Sequence, residues 1–150
     1  MAKEKTSLLY TNSEGRRTVE KIEFNPPFLE ELVLIHLNRK QDSREGINHY
    51  RKKVKSHEII DEFTDITKQI TATEDLEKFS LLMQCHEEKL SQFLEIPTSK
   101  EKFFKNCPVF VKSLGAWGGD FVLSRKFDGY QHYFSDKGFD RIFNWKDLVI

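Results

Sequence analysis

The order of the hydrophobic periods predicts an α+β two-layer sandwich with a mainly antiparallel sheet and helices covering one face. Three observations carry that expectation. Alternating segments near both ends of the chain enclose three helical-period segments, so the helices are collected within a strand set rather than interleaved with it. The chain has 150 residues, enough for one domain to bury a stable core, and 13 Phe supply bulky apolar material. At 38% hydrophobic and 32% charged residues, the composition is that of a globular protein rather than a disordered one. No internal repeat or low-complexity linker divides residues 1–150, which are expected to form a single domain.

The elements follow in order. Ser7 to Tyr10 and Thr18 to Phe24 flank the polar stretch Thr11-Asn12-Ser13-Glu14-Gly15 and read as a hairpin, which Asn25-Pro26-Pro27 ends because proline cannot donate to a ladder. Leu32 to Asn38 is a strand. Asp42, three residues before Glu45, has capping-box spacing and opens a helix to about Ser56 with Ile47, Tyr50 and Val54 as its apolar positions. A second helix carries Ile59, Phe63, Ile66 and Ile70 at steps of four, three and four, the stripe of one buried face. A third begins after Thr73, with Glu74 and Asp75 favourably placed at its positive end, and runs through Leu76, Phe79, Met83, Leu90 and Phe93 towards Pro97. Beyond a loop over 97–106, Val109-Phe110-Val111 to Leu114 and Phe121-Val122-Leu123 are strands on either side of a glycine loop. Asp128 and Gln131 again have capping-box spacing, Tyr130, Tyr133 and Phe134 share a face, and Gly138 is placed to end that helix in the left-handed region. A last extended segment holds Phe139, Ile142, Phe143 and Trp145.

Charge and cysteine usage exclude several function classes. Twenty-four Lys and Arg balance twenty-four Asp and Glu, so no bulk field calls for a nucleic acid or an anionic membrane. Leu8, Leu9 and Tyr10 are too short a run for a signal peptide or a span, and Cys85 and Cys107 form neither a disulfide scaffold nor a zinc spacing; a reducing cytoplasm is expected.

Two segments could carry chemistry. In Lys112-Ser113-Leu114-Gly115-Ala116-Trp117-Gly118-Gly119-Asp120-Phe121, glycines let backbone amides approach an anion; the other reading is a tight turn with Trp117 packed on a helix. In Asn38 to Gly46, a strand end runs into a helix start where unsatisfied amides coincide with Arg39, Lys40 and Arg44, which suits an acidic small molecule; the other reading is a capped helix with solvated cations. Cys85-His86-Glu87-Glu88 has adjacent ligand types, but helix neighbours diverge by about 100° and do not easily share a metal, so His86 reads as a satisfied core or boundary residue. No GxSxG, GxGxxG, HExxH or Walker pattern occurs, and no complete set of catalytic residues is visible.

Lys112 to Leu123 resembles the C-terminal glycine motif of the GHMP kinases, the family of galactokinase and of homoserine, mevalonate and phosphomevalonate kinases. Asn25-Pro26-Pro27-Phe28 and Leu37 to Ile47 are similar to segments of the divergent bacterial branch named for its Gly-Tyr-Asp-Ile-Ala motif, in the same order. The resemblance implies a ferredoxin-like sandwich with extra helices, the C-terminal domain of an ATP-dependent small-molecule kinase. Gly115, Ala116, Trp117, Gly118 and Gly119 would then lie beside the phosphates, and Lys40, Ser43 and Arg44 would border the phosphoryl acceptor, a small anionic metabolite. Leu114 stands where the family motif has Ser or Thr, and Trp117 where it has the next glycine, filling space a phosphate would approach.

The family's ATP loop, catalytic aspartate and Gly-Tyr-Asp-Ile-Ala segment all belong upstream of the matched region. The expectation is therefore a C-terminal half lacking the N-terminal ATP-loop domain and inactive alone, with ATP and magnesium bound only together with that domain. No catalytic residue or metal ligand is assigned to this chain. Its expected partner is that N-terminal domain or, failing it, a second copy through an exposed apolar face. The alternative is a free-standing ferredoxin-like module that binds a ligand or regulates without phosphotransfer.

Overall fold

A computed structural model describes residues 6–39, 43–115 and 119–148, with the side chain of Ser43 excepted. The expected capping box from Asp42, Lys40 of the strand-to-helix segment, and Ala116, Trp117 and Gly118 of the glycine loop lie outside the described residues.

Strands β1 (Ser7–Ser13) and β2 (Arg16–Ile22) form an antiparallel hairpin in a sheet of their own. Its turn is shorter than the sequence suggests. Thr11, Asn12 and Ser13 pair with Thr18, Arg17 and Arg16, leaving only Glu14 and Gly15 between the strands, at φ 50° and 80°. Two left-handed central residues match the twist of the paired strands, so the hairpin closes over two residues instead of five.

The main sheet contains β3 (Leu32–His36), β4 (Val111–Ser113), β5 (Phe121–Arg125) and β6 (Ile142–Asn144) in the spatial order β4-β5-β3-β6, every neighbouring pair antiparallel. The connection from β3 to β4 passes over β5 and that from β5 to β6 passes over β3, so two interlocked β-α-β crossovers build a ferredoxin-like sheet. Helices α1 (Ser43–Arg51), α2 (His57–Ala72), α3 (Leu76–Leu94) and α4 (Ser99–Phe103) occupy the first crossover and α5 (Tyr130–Asp136) the second; α6 (Trp145–Leu148) follows β6.

Helices cover both faces of the sheet, not one. Leu32 and Leu34 of β3 pack with Leu123, Phe110, Phe28 and Phe79 of α3, whereas Val33 and Ile35 pack with Val122, Phe104 and Phe134 of α5. Successive strand residues point to opposite faces, so β3 is buried along Leu32 to Ile35 and reads as a continuous apolar run. The extra helices of the first crossover therefore form a second covering layer. Ser124, fully buried in β5, is satisfied by donating its Oγ–H to the Phe110 carbonyl at 2.7 Å.

The helix ends show where local chemistry won. Ser56 does not end α1 but caps α2, accepting from the Ile59 amide at 3.2 Å, so α1 stops at Arg51 and Val54 is 88% exposed instead of completing an apolar stripe. Asp75 caps α3 through the Lys78 amide at 2.6 Å. Residues 97–106 are not a plain loop, because Thr98 and Glu101 form a reciprocal capping box that starts α4. The box expected from Asp128 does not form; Gly129 at φ 77° opens α5 with no side-chain cap. Gly138 at φ 87° ends α5, its amide donating to Ser135 and the Phe139 amide to Phe134, the paired bonds of a Schellman motif. Trp145 begins α6 rather than extending β6.

Candidate functional site

The structure brings the two sequence candidates together at one end of the sheet. His36, at the end of β3, pairs with Phe121, at the start of β5, and the Leu37 amide donates to the Asp120 carbonyl at 2.7 Å. The segment entering α1 and the far side of the glycine loop, about eighty residues apart in the chain, are thus hydrogen-bonded neighbours. Asn38 turns the chain away at φ 53°, anchored by its Nδ2, which donates to the Gly138 carbonyl at 3.0 Å. Arg39 follows with its guanidinium 4.8 Å from the centre of the Phe103 ring, which Lys102 also approaches at 5.2 Å. Arg39 is thus placed on an aromatic surface rather than simply solvated.

The described ends of the glycine loop show why glycine is needed there. Leu114 donates to the Phe121 carbonyl at 3.1 Å, closing the β4-β5 neck, and Gly115 turns out of it at φ 75°. A Cβ on Gly119 would lie 2.4 Å from the Leu114 carbonyl oxygen, a backbone atom with little room to move. At Gly119 the chain re-enters the sheet through a gap with no room for a Cβ.

At the root of the loop, against Ser113, lies a carboxylate that nothing in its local sequence marks as buried. Glu87 of α3 is 6% exposed and accepts four hydrogen bonds: from the Ser99 amide at 3.2 Å, Lys112 Nζ at 3.2 Å, the Ser113 amide at 3.2 Å and Ser113 Oγ at 2.8 Å. It ties α3, the first turn of α4 and the last residues of β4 into one unit, and so fixes the root of the glycine loop.

Two hollows flank this knot. The first, about 320 Å³, is walled by Glu45, Gly46 and His49 of α1, by Glu87 and Ser91 of α3, by Thr98, Ser99 and Lys102, and by Ser113. His49 Nε2 donates to the Leu94 carbonyl at 2.6 Å, holding α1 against the end of α3. The second, a cleft of about 520 Å³, lies between β1, α2 and α3 and reaches Lys112 and Gly115.

Of the predicted site residues, Gly115 lines the second hollow; Ser43 and Arg44 sit in the first turn of α1, whose next residues line the first. His86 is not a satisfied boundary histidine. Its Nδ1 is buried without a hydrogen-bond partner among the described residues, its ring stacks edge-on to Phe63 at 5.0 Å, and burial, with help from the Lys112 charge, lowers its pKa to about 4. Among the described residues no three His, Cys, Asp or Glu side chains come together as metal ligands. Sequence reasoning missed Glu87 as an interior group and expected His86 to be satisfied; the Thr98-x-x-Glu101 spacing near them was a visible capping signal.

No protein-family model and no curated protein matches the chain. Among solved structures it is similar to a crystal structure of mevalonate kinase, with 25% sequence identity and a TM-score of 0.58. The similarity covers 85% of this chain and 44% of the mevalonate kinase chain, so the protein spans less than half the length of that structure. With its ferredoxin-like strand order and extra helices, the chain is an α+β protein of GHMP-kinase-like fold.

Proposed function

We propose that this chain is the C-terminal half of an ATP-dependent small-molecule kinase of the GHMP type, acting on a mevalonate- or phosphomevalonate-like acceptor. The observation that carries the reading is the pairing of the two candidate segments at one sheet end, in a fold similar to that of a mevalonate kinase over 85% of the chain. Gly115 to Gly119 border the phosphates, and Lys40, Ser43 and Arg44 border an anionic acceptor. Phosphoryl transfer needs positioning and charge stabilisation more than covalent chemistry, which is what a glycine-lined neck and a cationic corner supply.

ATP and magnesium belong on this reading to the interface with an N-terminal ATP-loop domain. The described residues offer the metal no ligand cluster. An apolar hairpin face supports a partner of that kind: Leu8, Tyr10 and Val19 are 52%, 72% and 50% exposed, and Tyr10 pairs directly with Val19. Without that domain the same face would drive self-association. A cytoplasmic site fits two free cysteines, and no helix among the described residues is long and apolar enough to cross a membrane.

The test is a coupled phosphotransfer assay on the protein joined to its N-terminal ATP-loop domain, comparing wild type with Lys40→Ala. Loss of one charged contact should raise the apparent acceptor KM about tenfold. An unchanged KM removes Lys40 from the site.

A further inference from the structure

Apart from Gly115 and Tyr10 at its rim, the cleft between the hairpin, α2 and α3 has a lining that the phosphotransfer reading does not use. Among the described residues it contains Lys55, Lys68 and Lys112 but no aspartate or glutamate, although acids and bases are equal in number along the chain. The neighbouring hollow, by contrast, carries Glu45 and Glu87. Most of the remaining wall is apolar or aromatic, from Tyr50, Ile59, Phe63, Leu90 and Phe93. Tyr50 and Phe93 meet edge-on at 6.1 Å, and Lys55 Nζ lies 4.3 Å from the centre of the Tyr50 ring, which carries its charge to the cleft wall.

We propose that this cleft binds an anion with an apolar tail, the head held by Lys112, Lys55 and Lys68 and the tail laid against Ile59, Phe63 and Leu90. The volume of about 520 Å³ is that of an ordinary small-molecule site. Lys112 is suited to the head. Its ammonium spends two protons, on Glu87 Oε2 at 3.2 Å and on the Ser113 carbonyl at 2.8 Å, leaving a third without a partner among the described residues. Glu87 offsets part of the Lys112 charge, so the net attraction comes from Lys55 and Lys68, beside which the described residues place no carboxylate in the cleft wall. His86, depressed to about pKa 4, is neutral at physiological pH and extends the uncharged part of the wall.

The requirement for both head and tail can be separated by calorimetry of the full chain at pH 7.5 with decanoate, decyl phosphate and decanol. Decanoate or decyl phosphate should bind saturably at one site, and decanol at least about tenfold more weakly. The tighter of the two anions identifies a carboxylate or a phosphate as the preferred head; either order supports the site. Lys55→Ala/Lys68→Ala should weaken the anions about tenfold, since each partly exposed pair contributes about 0.7 kcal/mol. Thr64→Trp, an exposed lining position on α2, should block them while leaving the thermal midpoint unchanged. Absence of saturable binding, equal affinity for decanol, or variants that bind as wild type would overturn the proposal. Lys112 is left intact, because removing it strands the buried Glu87 carboxylate and confounds binding with folding.

Discussion

Replacing Glu87 by Leu removes the acceptor on which four donors from two elements, α4 and β4, converge. The carboxylate and the Lys112 ammonium are both nearly buried, with side-chain exposures of 7% and 11%, so solvent does little to screen the change. Breaking a buried pair by deleting one partner typically costs about 3–5 kcal/mol, because the other charge is left uncompensated. For a chain of this size that corresponds to a fall in Tm of roughly 6–20 °C. Replacing both partners, Glu87→Leu with Lys112→Met, removes the stranded charge and should recover most of the loss, leaving the Ser99 and Ser113 amides as the residual cost. Calorimetric unfolding of the wild type, both single variants and the double variant closes the cycle. A Glu87→Leu loss below about 1 kcal/mol, or a double variant as unstable as the sum of the singles, refutes the claim that this pair anchors the loop root.

Three further outcomes follow from individual residues. Gly119→Ala must push its Cβ away from the Leu114 carbonyl, now 2.4 Å from that position, and should cost about 1–3 kcal/mol in urea unfolding; an unchanged midpoint contradicts the tight neck. Because the folded pKa of His86 is lowered from 6.5 to about 4, the unfolded chain binds more protons between those values, so stability is full above pH 6.5 and declines as pH falls towards 4; His86→Phe should flatten that part of the profile, and an unaltered pH slope counts against a buried neutral imidazole. Burial at 3% exposure raises the Cys107 pKa, so iodoacetamide at pH 7.5 should leave Cys107 unlabelled until urea is added, and rapid labelling in buffer contradicts its placement.

What the sequence makes legible here is whatever is encoded locally. The α2 stripe of Ile59, Phe63, Ile66 and Ile70 needs only a 3.6-residue period, and Gly138 needs only a helix to end. The site segments are legible for the same reason, as a run of glycines and a run of cations at a helix start. Their adjacency is not, because it depends on β3 pairing with β5 in one register, a contact across more than eighty residues. Glu87 is hidden by its neighbours: within Cys85-His86-Glu87-Glu88-Lys89 it reads as one more solvated charge, and only Lys112 and Ser113, a quarter of a hundred positions onward, make its burial tolerable. The early end of α1 is hidden by competition, since Ser56 can extend one helix or cap the next, and the capping bond decides.

The central claim is that this chain supplies the acceptor-side half of a kinase whose nucleotide site needs a further domain. Calorimetric titration of the chain alone with magnesium-ATP tests it most directly. No saturable heat is expected at millimolar nucleotide, with saturable binding appearing only when the N-terminal ATP-loop domain is added. Tight one-site binding of magnesium-ATP by the chain alone would contradict it.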